Sequence, residues 1–339
     1  MNKVFFGDCR DTMRDLIAQG VKVQMCVTSP PYFGLRDYGH PGQLGLEKTP
    51  AEYVSAMVEV FGLVRQLLAD DGVLWLNLGD SYSNGGRKTR DPAQSKLHRA
   101  FTGEDNAVTT FRPDDGAKPK DLLGIPWRVA LALQAAGWYL RQDIIWHKPN
   151  PMPESVTDRC TKAHEYMFLL SKSERYYWDA EAMREKAVAA DIGAMDGGAQ
   201  READGTDAND GRNFRSKRDT FKRDCSKRSQ AIPGQAVGTH RAEREESTFD
   251  TFTRNRRSVW TVPTVPYSGA HFATFPPALI EPCILAGSRS GDTVLDCFFG
   301  SGTTGEVAGN LGRNWIGCEI NDQYAPLQQA RTAQRGLAL

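Results

Sequence analysis

The apolar positions of this chain fall into short blocks with two different periods. Residues 3–6, 23–28 and 73–78 are compact apolar runs of strand length. Between the last two, Val54, Met57, Val58, Phe61, Val64, Leu67 and Leu68 recur at helical spacing over 51–68. Asp70-Asp71-Gly72 is expected to break that helix before the next strand starts. Helix, glycine turn and strand in this order predict a βαβ unit on a parallel sheet. The pattern then returns. Pro126 suits the first position of a helix whose face carries Val129, Leu131, Leu133 and Ala136, and Gly137 ends it. Strands are predicted over 139–146 and 165–170, with Tyr176-Tyr177-Trp178 returning beside the latter. A strand over 293–296, a helix over 303–311 and a strand over 315–319 complete the pattern.

Two stretches lack this periodicity. Residues 81–120 are rich in Gly, Ser, Asp, Lys and Arg, and 187–255 are longer and more polar still. Their composition predicts solvated or disordered loops. The whole chain, at 339 residues with 40% hydrophobic and 25% charged positions, has the make-up of a globular protein. Its formal net charge of zero argues against a uniformly basic nucleic-acid coat but leaves room for a local basic patch. The Met1-Asn2-Lys3 start reads as no signal peptide, and no apolar run approaches membrane-spanning length. The seven cysteines are scattered, odd in number and never spaced C-x-x-C. That disfavours a disulfide scaffold or a zinc site and makes a reducing cytoplasm the expected compartment.

Three local features carry chemistry. Asp296-Cys297-Phe298-Phe299-Gly300-Ser301-Gly302-Thr303-Thr304 joins a strand to a helix, where glycines let a ligand approach the backbone and the helix start offers N–H donors. Glu319 ends the next strand, placed to accept hydrogen bonds from ribose hydroxyls. A tight structural turn explains the glycines alone about as well. Thr28-Ser29-Pro30-Pro31-Tyr32 closes the second strand; its prolines stiffen the backbone, so the Ser29 hydroxyl and Pro30 carbonyl can face one way with Tyr32 alongside. Two acceptors there would grip an amino group on a base, pyramidalise its nitrogen and free the lone pair, while Tyr32 stacks on the ring. A turn that merely ends a strand is the plainer alternative. Asp8, just past the first strand, either meets a ligand or caps the next helix.

In combination these segments resemble the β class of S-adenosylmethionine-dependent DNA amino-methyltransferases. Its S/D-P-P-Y/F segment precedes the recognition region and its D-P-F-x-G-S-G-T-T segment comes last. Here the latter reads D-C-F-F-G-S-G-T-T, with Cys297 in place of proline. His271-Phe272-Ala273-Thr274-Phe275-Pro276 and Gly317-Cys318-Glu319 with Tyr324 extend the likeness, which spans 3–80, 122–178 and 258–330. The resemblance implies a Rossmann-like, mostly parallel α/β sheet with helices on both faces and a permuted motif order. Residues 1–186 would be the catalytic half with a mobile loop at 81–120, 187–257 the target-recognition insertion, and 258–339 the cofactor-binding half.

The resemblance also implies residue roles. Asp8 would meet the adenine end of S-adenosylmethionine, and Glu319 its ribose. Phe275, Pro276, Phe298, Gly300, Ser301 and Thr303, with Asp296 and Gly302 of the same turn, would line the rest of the cofactor site. Ser29, Pro30, Pro31 and Tyr32 would grip a base flipped out of double-stranded DNA, and no metal is needed. Arg212, Arg215, Lys217, Arg218, Lys222 and Arg223, with Arg254, Arg256 and Arg257, form basic clusters where the family reads its target. Relatives in this class are often dimers, so a homodimer is expected. Ser at position 29 is commoner among cytosine-N4 enzymes. The 122–149 stretch instead looks like that of solitary chromosomal or prophage enzymes, and on it adenine N6 is taken as the target with cytosine N4 as the alternative. An RNA or protein-glutamine methyltransferase and a catalytically silent DNA-binding module are the more distant readings.

Overall fold

A computed structural model describes residues 2–35, 40, 42–83, 117–187, 253–264 and 275–333. Ten strands are described: β1 (Lys3–Phe6), β2 (Val23–Thr28), β3 (Leu68–Leu78), β4 (Tyr139–His147), β5 (His164–Ser171), β6 (Arg184–Lys186), β7 (Thr253–Asn255), β8 (Val259–Thr261), β9 (Thr293–Asp296) and β10 (Asn314–Glu319). The helices are α1 (Cys9–Ala18), α2 (Pro50–Leu67), α3 (Ile125–Ala135), α4 (Pro277–Gly287), α5 (Thr303–Asn310) and α6 (Ala325–Thr332). Eight strands make one sheet in the order β1-β10-β9-β2-β3-β5-β4-β8. Every neighbouring pair is parallel except the two that β5 makes, which are antiparallel.

Alternation along the strands builds a core on each face. On one face Leu74, Leu76 and Leu78 of β3 and Phe168 and Leu170 of β5 meet Met13 and Leu16 of α1, Met57, Phe61 and Val64 of α2, and Val129 and Leu133 of α3. On the other, Val73 and Trp75 meet Leu279, Ile280, Cys283 and Ile284 of α4 and Val307 of α5. The helix starts follow local chemistry. Thr49 caps α2 by accepting from Glu52 N at 3.1 Å, and Glu52 reaches back to Lys48 N at 3.0 Å. Gly137, at φ +96°, ends α3 as expected from the sequence.

Two expectations change. Asp70-Asp71-Gly72 does not separate helix from strand: α2 gives way to β3 at Leu68, and the three residues lie inside the strand. The register of β2 on β3 shifts between Val23 and Met25, and a Cβ at Gly72 would sit 2.9 Å from Gln24 O. The glycine thus serves an irregular strand pairing instead of a turn. Tyr176-Tyr177-Trp178 forms no strand. Those residues lie along the sheet instead, with Trp178 stacked on Trp75 at 6.1 Å between ring centroids and Tyr177 N donating to Asp71 O at 2.9 Å.

The chain divides into two compact units, one of residues 1–184 and 255–339 and one of Glu185–Arg254. In the second, only 185–187 and 253–254 are described, and there Arg254 Nε pairs with Glu185 Oε1 at 2.8 Å.

Candidate active site

β9 and β2 are adjacent at the centre of the sheet. From β9 the chain crosses through α5 to β10 on one side, and from β2 through α2 to β3 on the other. The crevice outside the carboxyl ends of such a strand pair is where open α/β sheets bind ligands. At that point Thr28, the last residue of β2, donates through Oγ1 to Asp296 Oδ1 at 2.6 Å. Asp296, the last residue of β9, also accepts from Phe298 N at 3.0 Å and, on Oδ2, from Thr304 Oγ1 at 2.6 Å. Burial pushes this carboxyl above the usual carboxylate range, while the three donors pull the other way. Asp296 therefore ties together the starts of the two motif segments.

The glycine turn is built for close approach. Gly300 and Gly302 have φ of +53° and +87°, the latter at the N-cap of α5. Gly300 N donates to Glu319 Oε2 at 2.7 Å, Asn321 N to Glu319 Oε1 at 2.9 Å, and Gln328 Nε2 to Gly300 O at 2.7 Å. Burial raises the Glu319 carboxyl to about 7, against the pull of its backbone N–H donors. Phe299 fills the space under the turn, where a Cβ on Gly317 would come within 2.4 Å of its ring. Ser301 is buried and its hydroxyl accepts from Arg331 Nη1 at 2.8 Å, so that side chain braces the turn against α6. Thr303 is buried at the first turn of α5, Phe298 is half-buried, and Phe275 and Pro276 lead into α4. Asp8 caps α1 by accepting from Arg10 N at 2.8 Å and pairs with the Arg10 guanidinium, which holds its carboxyl below the usual range. It still stands at this edge, because Gly7 N donates to Glu319 O at 2.8 Å. The group that fits such a crevice is a nucleoside. Each Glu319 oxygen has a lone pair left after its backbone bond, enough for two ribose hydroxyls, and the turn's glycines leave no side chain in the way.

Beside this crevice Ser29 to Tyr32 leave β2. Tyr53 of α2 donates to Pro31 O at 2.9 Å, which fixes the proline pair, and no hydrogen bond to Pro30 O is present among the described residues. The Tyr32 hydroxyl lies 2.7 Å from Glu165 Oε2, 3.1 Å from Asn77 Oδ1 and 3.4 Å from Ser29 Oγ. Burial, then the Glu165 charge, raise its pKa well above that of a free phenol, so it stays a neutral donor.

A profile of DNA methylases, the N6/N4 family, matches residues 23–330. The chain belongs to the N6/N4 DNA methylase family. Over 98% of this methylase and 91% of the relative it is 42% identical to the type II methyltransferase M.SmaI of Serratia marcescens. With M.Cfr9I of Citrobacter freundii the identity is 41% over 96% and 85% of the two chains. In fold it is similar to the cytosine-N4-specific PvuII DNA methyltransferase, with a TM-score of 0.57 at 16% identity over 99% of this chain and 88% of that one. It is also similar to a protein described as a putative DNA modification methylase of Thermus thermophilus, solved with S-adenosyl-L-methionine, with a TM-score of 0.54 at 19% identity over 100% and 96%. This methylase is thus an S-adenosylmethionine-dependent enzyme acting on DNA. Among its described residues no helix is long and apolar enough to cross a membrane.

The expected DNA contacts are only partly visible in the methylase. Arg212, Arg215, Lys217, Arg218, Lys222 and Arg223 lie outside the described residues, as do 84–116 and His271 to Thr274. Arg254 is engaged by Glu185. Arg256 lies over Trp260, 4.6 Å from the ring centroid, and with Arg257 it lines a cavity of about 190 Å³ beside Trp178 and Met183. Two residues beside Ser29 to Tyr32 are not among the sequence-predicted site residues. Asn77 is a lone buried amide in the apolar run of β3, and Glu165 opens the apolar run of β5. A polar residue inside an apolar strand was the available signal for Asn77, whereas Glu165, ahead of the apolar run, carried none. Lys148, the first residue past β4, forms an ion pair with Glu165.

Proposed function

We propose that this methylase transfers a methyl group to the N4 amino nitrogen of a flipped cytosine in duplex DNA. The observation that carries the reading is the Thr28–Asp296 hydrogen bond, which puts the base-gripping segment directly beside the glycine turn at the switch point of the sheet. The sequence-based preference for adenine rests on likeness of 122–149 to solitary enzymes. The near-full-length relatives at 41–42% identity are type II methyltransferases, which removes that ground and leaves Ser29 to favour N4. In the PvuII enzyme the same fold carries cytosine-N4 specificity.

S-adenosylmethionine supplies an electrophilic methyl on a sulfonium whose thioether leaves without charge. Ser29 Oγ and Pro30 O accept the two amino hydrogens, drawing the nitrogen lone pair out of conjugation and aiming it at the cofactor side. With the cofactor bound, the nitrogen would gain the methyl as the neutral thioether departs, and the surplus amino proton would pass by way of Ser29 Oγ to water. Tyr32 stacks on the base, and a base inside a duplex must be extruded to reach it. Glu319 holds the ribose, while Asp296 organises the turn without spending its oxygens on the ligand. The unit at 185–254, with its cationic clusters, reads the target sequence.

Incubation with labelled cofactor and duplex DNA, then mass analysis of the nucleosides, tests this. N4-methylcytosine is expected. N6-methyladenine would overturn the base, and label confined to RNA or protein would overturn the substrate.

A further inference from the structure

Next to Ser29 and Tyr32 stands a group of polar side chains that motif comparison leaves without a role. Because β5 runs antiparallel, its first residues lie at the same edge as the carboxyl ends of β3 and β4, with Trp146 opposite Glu165 and Leu78 opposite Tyr166. Glu165 therefore sits among Tyr32, Asn77 and Lys148. Its Oε2 accepts from Tyr32 at 2.7 Å and from Asn77 Nδ2 at 3.3 Å, and its Oε1 accepts from Lys148 Nζ. The Lys148 ammonium also rests over Trp146, 4.3 Å from the ring centroid. Asn77 Nδ2 donates to Tyr166 O at 3.1 Å as well, which fixes the amide so that Oδ1 faces the Tyr32 hydroxyl.

The pair is largely shielded, with side-chain exposures of 19% for Lys148 and 15% for Glu165. Removing two charges from water costs free energy that their attraction only partly returns, so such a pair is weakly explained by stability. Here it has a geometric effect. A phenol has one proton, and the shorter contact assigns it to the Glu165 carboxylate. The Tyr32 ring also lies so close to Gly79 that a Cβ there would fall 2.5 Å from Cε2. One end of the ring is anchored and its side is walled by backbone.

We propose that Glu165, fixed by Lys148 and Asn77, is the positioning residue that sets the Tyr32 ring for stacking on the target base. The inference rests on the reading of Tyr32 as a base-contacting residue. It predicts an effect on the methyl-transfer step and none on cofactor affinity, since Glu319 and Gly300 share no hydrogen bond with this group among the described residues.

A double-mutant cycle on the full chain tests it, with kcat and KM for DNA that the wild type methylates and Kd for S-adenosylmethionine measured on the same preparations. Glu165→Gln keeps the volume but has a single oxygen for donors on both sides, so Lys148 takes it and Tyr32 loses its shorter acceptor, keeping only the 3.1 Å contact to Asn77 Oδ1. Glu165→Gln and Tyr32→Phe are each expected to lower kcat roughly tenfold with cofactor Kd unchanged. The double variant is expected to be no slower than the worse single variant, because both remove one anchor. Effects that multiply in the double variant, or a Glu165→Gln enzyme with normal kcat, overturn the proposal. Loss of cofactor affinity in a folded Glu165→Gln enzyme overturns it as well; if that variant does not fold, Lys148→Met, which removes the cation holding the carboxylate, enters the cycle with the same readings. A wild type that transfers no methyl to DNA would instead overturn the functional reading beneath it.

Discussion

Thr28 donates to Asp296 at 2.6 Å although 268 positions separate them in sequence. The bond joins the end of the strand that delivers Ser29 to Tyr32 to the end of the strand that opens the glycine turn. It also satisfies a buried carboxylate, whose loss of one donor is costly because no water can replace it. Thr28→Val, nearly isosteric, is expected to lower unfolding free energy by about 1–3 kcal/mol and to slow methyl transfer. Chemical denaturation compared with wild type checks the first part. Unchanged stability would mean that Asp296 is held by Thr304 and Phe298 N alone.

Glu319 predicts a pH dependence. Its folded pKa of about 7 lies above the ordinary 4.5, so between those values the folded protein binds a proton that the unfolded chain has released. Its contribution to stability therefore falls as pH rises through that window and levels off above it. With Glu319 holding the ribose as proposed, the cofactor needs the ionised form as a double acceptor. Calorimetric Kd for S-adenosylmethionine should accordingly tighten from about pH 6 to about pH 8, and Glu319→Gln should flatten the profile. A flat wild-type profile would remove the carboxylate from the ribose site.

Gly79→Ala isolates the Tyr32 ring. Gly79 carries no left-handed φ, so alanine suits the backbone, and the three atoms nearest its Cβ all belong to the Tyr32 ring, the first 2.5 Å away. Displacement of the ring should cut kcat by about 10- to 100-fold with near-normal cofactor affinity. Normal turnover would show that the ring has room to settle elsewhere without loss.

The frame of this methylase was legible in its sequence because its signals are local. The apolar runs of β2, β9 and β10 end close to where Pro30, Cys297 and Ile320 begin the next segments, and Pro126 and Gly137 punctuate α3. What stayed hidden depends on contacts across the chain. Asp70-Asp71-Gly72 looks like a turn until β2 is laid beside it. Trp178 looks like strand until Trp75 offers it a stacking face. The cofactor-side glycines were readable as a motif, whereas Glu165 became visible only when antiparallel β5 brought it to the Tyr32 hydroxyl. Asp8 takes the second of its two anticipated roles, capping α1 and pairing with Arg10, one residue past the Gly7 N–Glu319 O bond.

The cationic clusters predict a salt-dependent affinity. Replacing Arg212, Arg215, Lys217 and Arg218 with serine should weaken DNA binding and flatten its dependence on salt, by roughly one unit of log–log slope for each phosphate that is no longer neutralised. Cofactor affinity should not move. Titration of labelled duplex at several salt concentrations measures this, and an unchanged slope would place the DNA elsewhere.

The most direct test is single-turnover methyl transfer to duplex DNA by Tyr32→Ala, with S-adenosylmethionine Kd measured on the same protein. Transfer is predicted to fall by about two to three orders of magnitude while cofactor Kd stays within a factor of about two. Full transfer by a variant that has lost only DNA affinity would contradict the placement of Tyr32 at the reacting base.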